Sequence, residues 1–138
     1  MDFAITITDP VTNIVSIGIP KVPKILTGLA KLIQVVVLDF LRNPGRDVLN
    51  PTSGAGFRAM IGQYNYSLGG KEITAQVIRV VKQRQAAILA EQATAPGDPS
   101  EMLSTIVVQD MAFDATSSDL VVRVKVTNQS GSSQDVLL

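Results

Sequence analysis

One short segment in the last third of the sequence constrains the fold more than any other. Between residues 120 and 127 aliphatic side chains occupy every second position: Leu120, Val122, Val124 and Val126 alternate with Val121, Arg123, Lys125 and Thr127. Successive side chains of a β-strand point to opposite faces of the sheet, so this alternation predicts an antiparallel strand with one buried face. Residues 103–113, rich in Ile, Val and Met, predict a second strand, and residues 135–138 form a short apolar tail.

A long helix is predicted immediately before these strands, over residues 71–93. Its apolar positions recur at the spacing of one helical face: Ile73, Val77, Val80, Val81 and Ile88. Arg84 interrupts this apolar stripe. Its aliphatic stem could pack in the core while its head reaches solvent or a carboxylate, or it could pair with another chain. We favour the first interpretation.

A second helix is predicted over residues 24–42. The apolar pattern is too long for a strand, although Val35-Val36-Val37 alone would favour one. On a helical projection Val35 and Leu38 fall inside the arc that holds the polar residues. A helix that is apolar nearly all round is normally buried on more than one side, so these two side chains are candidates for contact with a neighbouring chain.

The rest of the sequence completes a prediction of the fold class. Residues 3–19 alternate in two runs and predict a β-hairpin or two extended arms, which Pro20 and Pro23 end. A short helix is predicted near residues 57–63. We therefore expect an α+β fold, in which a small antiparallel or mixed sheet packs against two to three helices, with extended β-arms at the termini. We expect a single domain overall, with residues 1–23 as an N-terminal β-hairpin or arm and residues 24–138 as its main part.

Composition narrows the possible functions. The chain carries 12 basic and 12 acidic residues and therefore no net charge, which argues against binding nucleic acid or an anionic membrane. The stretch 25–41 is too polar and too short to span a membrane. Histidine and cysteine are both absent, which removes the Ser-His-Asp and Cys-His arrangements and the usual zinc ligands.

Other catalytic and cofactor sites find little support. The acids Glu72, Glu91 and Glu101 are too scattered along the predicted elements to form the carboxylate pair of a glycosidase. The glycines of residues 54–62 lack the preceding strand and the following lysine of a phosphate-binding loop, so we interpret them as a turn. We expect no enzymatic activity, no cofactor and no metal.

The stretch from Leu41 to Phe57 resembles a known family. Its matching positions are Leu41, Gly45, Arg46, Pro51, Gly54 or Gly56, and Phe57, followed by a long amphipathic helix and a strand pair carrying Leu103, Ile106, Val108, Leu120, Val122 and Val124. This order resembles the baseplate wedge and sheath-initiator proteins of contractile phage tails, whose members also occur in secretion and injection systems. The resemblance covers about residues 24–127. Where the family often has Glu-Pro-Arg, this chain has Glu101-Met102-Leu103, so only the glutamate matches.

The resemblance implies a structural role. Such proteins lie in the inner baseplate, typically in six copies, and template the first ring of the tail sheath by β-augmentation, so the expected partners are other wedge proteins and the sheath protein. The expected location is the virion, after synthesis in the host cytoplasm, without nucleic-acid or membrane contact. The candidate interface residues are Val35, Leu38, Arg42, Arg46, Arg58, Arg84, Glu101, Val136 and Leu138. The alternatives are a lysozyme-like muramidase, a label that some relatives carry, and an adaptor domain outside any tail.

Overall fold

The structure is a computed structural model that describes residues 6–8, 11–17, 25–45, 48–49, 51, 54–56, 70–114, 116 and 119–138. These residues form two helices and five strands, in an order that confirms the predicted α+β class. In chain order the elements are β1 (Thr6–Thr8), β2 (Val15–Ile17), α1 (Gly28–Leu41), α2 (Gly70–Thr94), β3 (Leu103–Asp114), β4 (Asp119–Asn128) and β5 (Ser133–Leu137).

The five strands form one mixed sheet in the order β1-β2-β5-β4-β3. All neighbouring pairs are antiparallel except β2 and β5, which run parallel with Val15 opposite Val136. The extended segments expected at the two ends of the chain are therefore both present as strands. Both belong to the chain's own sheet, and β5 lies near its centre.

The core forms where the sequence patterns predicted it. Val122, Val124 and Val126 of β4 are at most 1% exposed, and all five residues of the predicted stripe on α2 are buried. Helix α1 contributes a further set of buried aliphatic and aromatic side chains: Leu32, Ile33, Val36, Val37 and Phe40. Both helices thus pack their apolar faces into a single hydrophobic cluster with the inner face of the sheet.

The predicted helix boundaries hold at three of four ends within one residue. The exception is the start of α1, which begins at Gly28 rather than at residue 24. Thr27 has an extended backbone, with φ −138° and ψ 162°, and its side chain makes no capping hydrogen bond. The short helix expected near residues 57–63 lies outside the described residues.

Candidate functional site

Strand β3 is one of the two outer strands of the sheet, and among the described strands it pairs only with β4. In an antiparallel strand, the backbone N–H and C=O groups of successive residues face its two neighbouring strands alternately. Val122 exchanges both backbone bonds with Leu138, and Asn128 donates to Ser132, so these positions of β4 face the β5 side. The residues of β3 paired with these positions of β4 consequently point their own backbone groups outward.

Three outward N–H groups of β3 are capped by side chains. The Leu103 N–H donates to Oε1 of Gln92, and the Ile106 N–H donates to Oε1 of Gln85, both at 2.8 Å. The Met111 N–H donates at 2.8 Å to Oδ1 of its neighbour Asp110. An uncovered edge strand invites pairing with another chain, and capping its donors weakens that tendency.

Irregular pairing between β3 and β4 further reduces the tendency of this edge to pair with another chain. The register between β3 and β4 shifts between Leu103 and Thr105 and again between Val108 and Asp110. Such bulges bend and twist a strand, which makes a long straight pairing with a second chain more difficult. Between the two bulges only residues 105–108 keep a regular register with β4.

A groove of about 460 Å³ opens between α2 and this regular stretch of β3. Helix α2 runs alongside the strand, with Gln92 near Leu103 and Gln85 near Ile106. The groove lies one turn further toward the start of the helix. Its walls are mainly apolar, and Lys82 is the charged residue among those that line it. Ile78 and Val107 are 37% and 50% exposed at its mouth, so the groove presents apolar surface to solvent.

The loop between Arg42 and Gly56, held by two backbone hydrogen bonds and called here the pinned loop, is a second surface feature. The Gly45 N–H donates to the Pro51 carbonyl at 2.8 Å, and the Gly56 N–H donates to the Arg42 carbonyl at 3.4 Å. At Gly54, with φ +115°, an added Cβ would lie 2.3 Å from the Arg42 carbonyl oxygen. Only glycine fits there, which gives a physical reason for this glycine in the 41–57 motif.

The tip of the pinned loop presents two consecutive apolar residues to solvent. Val48 and Leu49 are 94% and 95% exposed, whereas Ala55 at the returning end of the loop is buried in the core. The predicted contact residues Arg46 and Arg58 belong to this region of the sequence but lie outside the described residues. Arg42, which precedes the loop, is exposed.

On helix α1, the structure places the two predicted contact residues at the surface to different degrees. Val35 is 45% exposed, whereas Leu38 is half-buried. Leu41, one turn beyond Leu38, is 50% exposed. Helix α1 therefore carries a short exposed apolar strip in addition to its buried face.

Arg84 makes an intramolecular ion pair that joins the two helices. Its Nε and Nη2 donate to the two carboxylate oxygens of Asp39 at 2.7 and 2.6 Å. Both side chains are only 11% exposed. The hydrogen bond to Asp39 raises the pKa of Arg84. Of the two interpretations of this residue, packing of the stem with the head on a carboxylate is therefore confirmed.

Glu101 caps the start of helix α1. Its carboxylate accepts a hydrogen bond from Lys31 Nζ at 2.8 Å and another from the Gly28 N–H at 3.2 Å. It thus supplies the cap that Thr27 does not. The hydrogen bonds from Lys31 and Gly28 lower the pKa of Glu101, whereas the general acid of a glycosidase needs a raised pKa.

The two predicted contact residues near the C-terminal end of the sequence belong to the chain's own sheet. Val136 is fully buried beside Val124, and Leu138 exchanges two backbone hydrogen bonds with Val122. While β5 is in place, Val136 offers no surface to another chain.

The sequence reasoning missed the glutamines that cap β3. Gln85 and Gln92 lie seven residues apart, which is two helical turns, so they share a face of α2. Pairing of this face with the β3 backbone is a tertiary contact. The only signal in the sequence is that two polar residues with the same spacing border the apolar stripe.

Neither a metal site nor a membrane-spanning helix is found in the described part of the chain. Those residues include no group of three or more acidic side chains placed to hold a metal ion. None of their helices combines the length and the apolar character needed to cross a bilayer. What the described surface offers is a guarded strand edge, an apolar groove and exposed aliphatic side chains, which are features suited to binding a protein segment.

Comparison with known proteins gives no relative: no family model, curated protein or solved structure matches this chain.

Proposed function

We propose that this chain is a structural subunit of a contractile tail, located in the inner baseplate, where it joins wedge proteins and templates the first ring of the sheath. The observation that supports this most directly is the motif at residues 41–57. Its loop is closed by backbone bonds at Gly45 and Gly56, and Gly54 has no room for a side chain. The glycines of the motif therefore have a defined structural task rather than a chance position.

The surface of the fold supports a binding role over a catalytic one. Strand β3 offers a sheet edge, and the neighbouring groove offers apolar surface at Ile78 and Val107. In β-augmentation a strand from another chain adds to such an edge, main-chain hydrogen bonds give affinity, and side-chain pockets give specificity. Because both terminal strands are used in its own sheet, the chain is proposed to receive a partner's strand rather than to donate one.

The muramidase alternative finds less support. Glu101, one of the three acids considered for a glycosidase pair, is held by Lys31 and the Gly28 N–H, and these contacts lower its pKa. These contacts favour the ionised carboxylate, which cannot protonate a leaving group. We therefore propose no enzymatic activity.

The proposed function is tested by genetic removal of the chain in the organism that encodes it, followed by electron microscopy of the assembled tails. We expect tail tubes and baseplate parts that do not carry an attached sheath. Complementation with the unaltered chain should restore sheathed tails. Normal contractile tails in the deletion strain, or the absence of tail genes from that genome, would favour the adaptor alternative.

Two matched variants locate the contact. Val107→Glu places a charge at the groove beside β3, whereas Val121→Glu places it at a comparably exposed valine that does not line the groove. If the sheath or a wedge protein binds at β3, the first variant should fail to complement the deletion strain and the second should succeed. Equal complementation by both variants would exclude the groove as the contact.

A further inference from the structure

The caps on strand β3 leave an uncapped position between Ile106 and Met111. Gln92, Gln85 and Ile78 follow each other at intervals of seven residues along one face of α2. Gln92 caps the Leu103 N–H and Gln85 caps the Ile106 N–H. At the third position of this series the helix carries isoleucine, which has no hydrogen-bond acceptor, and Ile78 lines the groove instead.

The residue of β3 whose outward N–H has no cap is Val108. Val108 is paired with Val124. Like Val122 and Asn128, Val124 belongs to the alternate residues of β4 whose backbone groups face β5. The Val108 N–H therefore points outward, in the same direction as the capped N–H of Ile106. Among the described residues no side chain accepts a hydrogen bond from it, and Val108 is itself part of the groove lining.

From this arrangement we infer that the groove between α2 and β3 binds an extended segment of a partner protein that carries an acidic side chain next to an aliphatic one. The inference deepens the proposed function by naming the chemistry of the segment that the sheet edge receives. In this arrangement the Val108 N–H donates to a carbonyl of the segment. An aliphatic side chain enters between Ile78 and Val107, and the carboxylate meets Lys82.

Charge identifies this segment rather than a general apolar peptide. Lys82 is exposed, is the charged residue lining the groove, and takes part in neither of the ion pairs recorded among the described residues. A carboxylate is the complement that gives such an ammonium group a partner. The nearby acid Asp110 already accepts the Met111 N–H, on the far side of the second bulge.

The capped N–H groups on both sides of Val108 limit the length of β3 with which the bound segment can pair. Pairing along the whole of β3 would require Gln92, Gln85 and Asp110 to release their backbone partners. Pairing at Val108 alone requires no release. The glutamines thus fix where the segment binds and disfavour the indiscriminate edge-to-edge association that a long bare strand would promote.

The test uses the purified full chain and two synthetic peptides that alternate valine and threonine, one with a central aspartate and the other with a central lysine. Backbone amide resonances are followed by NMR during titration with each peptide. We expect the aspartate peptide to shift the Val108 resonance and slow its amide hydrogen exchange. The capped amides of Ile106 and Met111 serve as internal controls and should change little.

Reversing the charge at residue 82 tests whether Lys82 contacts the carboxylate of the peptide. Lys82→Glu should weaken binding of the aspartate peptide by about fivefold, which corresponds to an exposed ion pair of about 1 kcal/mol, and should strengthen binding of the lysine peptide. Lys82 is exposed, so folding is not at risk, and the unchanged amide spectrum outside the groove verifies this.

Other outcomes would overturn the inference. Equal binding of both peptides to both proteins would mean that charge does not select the segment, and shifts away from Val108 would place binding elsewhere. A chain that dimerises without peptide, with shifts at Val108, would make a second copy the occupant. Because these measurements need no tail, failed sheath assembly together with peptide binding would reject only the tail function, and the reverse result would reject only the groove.

Discussion

At the scale of single residues, two ion pairs do different work because their surroundings differ. Arg84 and Asp39 are nearly excluded from solvent and fix α1 against α2, whereas Lys31 and Glu101 lie at the surface and organise the start of a helix. The position of Arg84 within an apolar stripe predicts that its stem packs while its head reaches solvent or a carboxylate. The sequence could not identify Asp39, because that pairing depends on how the two helices are rotated against each other.

Removing one partner of the buried pair should be costly. Arg84→Met keeps much of the aliphatic packing but leaves the Asp39 carboxylate without its donors, so we expect a loss of about 3–5 kcal/mol in the free energy of unfolding. Urea denaturation of the variant measures this loss. The double variant Arg84→Met with Asp39→Leu should recover most of it, since both charges are then gone. An equally unstable double variant would show that packing, rather than the uncompensated charge, dominates.

The Glu101 contacts predict a dependence of stability on pH. The hydrogen bonds from Lys31 and Gly28 lower the pKa of Glu101 in the folded chain from its ordinary value of 4.5. The folded state therefore binds the proton less readily than the unfolded state, and the contribution of Glu101 is fully present above pH 4.5. It should be lost as the pH falls from there through the lowered pKa.

Comparing urea midpoints between neutral and acidic pH checks this expectation. Glu101→Gln should show a shallower decline over the acidic window than the unaltered chain, because the variant has no proton to bind at this position. Glu72→Gln, which removes an exposed carboxylate from the first turn of α2, is the matched control. An identical decline in all three proteins would contradict the role assigned to Glu101.

At the scale of elements, prediction succeeded where one local pattern dominates. The alternation along β4 and the stripe on α2 each require one buried face, and both elements appear at the expected residues. Prediction was weaker where a long-range contact decides. Helix α1 begins at Gly28, which has a positive φ, and its cap comes from Glu101, 73 residues away from Gly28 in the sequence. The C-terminal segment was expected only as an extended arm, and its pairing with β4 and β2 makes residues 133–137 a strand of the chain's own sheet.

The pinned loop allows a test that separates backbone strain from steric conflict. Gly45 and Gly54 both have positive φ, but an added Cβ at Gly45 meets nothing within 4 Å, whereas at Gly54 it meets the Arg42 carbonyl. We expect Gly45→Ala to lower the free energy of unfolding by about 1–2 kcal/mol through strain alone. Gly54→Ala should cost roughly 3 kcal/mol or more, since the backbone of the loop has to move.

Thermal or urea denaturation of both glycine variants gives the comparison. Gly97→Ala, at an exposed glycine with open space around it, should be nearly neutral and serves as the reference. Similar losses for the Gly45 and Gly54 variants would mean that the approach of the loop to Arg42 relaxes easily.

At the scale of the whole molecule, the sheet is closed by two strands that lie far apart in the sequence, β2 and β5. Val15 of β2 and Val136 of β5 are paired and both buried, and Gln134 donates to the Asn13 carbonyl across 121 positions of sequence. The two segments expected to be arms are thus what completes the sheet. No local pattern could predict this, because each segment alone fits a free extended arm equally well.

A charge at position 136, where β5 pairs with β2, should prevent folding. Val136→Asp buries an uncompensated carboxylate, at a cost of about 3–5 kcal/mol, which is a large part of the 5–15 kcal/mol that stabilises a typical domain. We expect loss of cooperative unfolding by circular dichroism and increased binding of a hydrophobic dye. Val121→Asp, at a valine 42% exposed on the same sheet, should retain the native signal. A folded Val136→Asp variant would show that β5 can leave the sheet without disrupting it.

The central position of β5 also determines when the described sheet can close during synthesis. Strand β2 is made early, yet its described neighbours in the sheet are β1 and β5, and β5 follows the other described strands in the sequence. A ribosome must therefore release residues 133–137 before the hairpin of β1 and β2 can take its place. Until then the nascent chain exposes the side of β4 that β5 will cover. Until β5 has docked, the unpaired backbone groups of β2 and β4 are therefore able to pair with other chains.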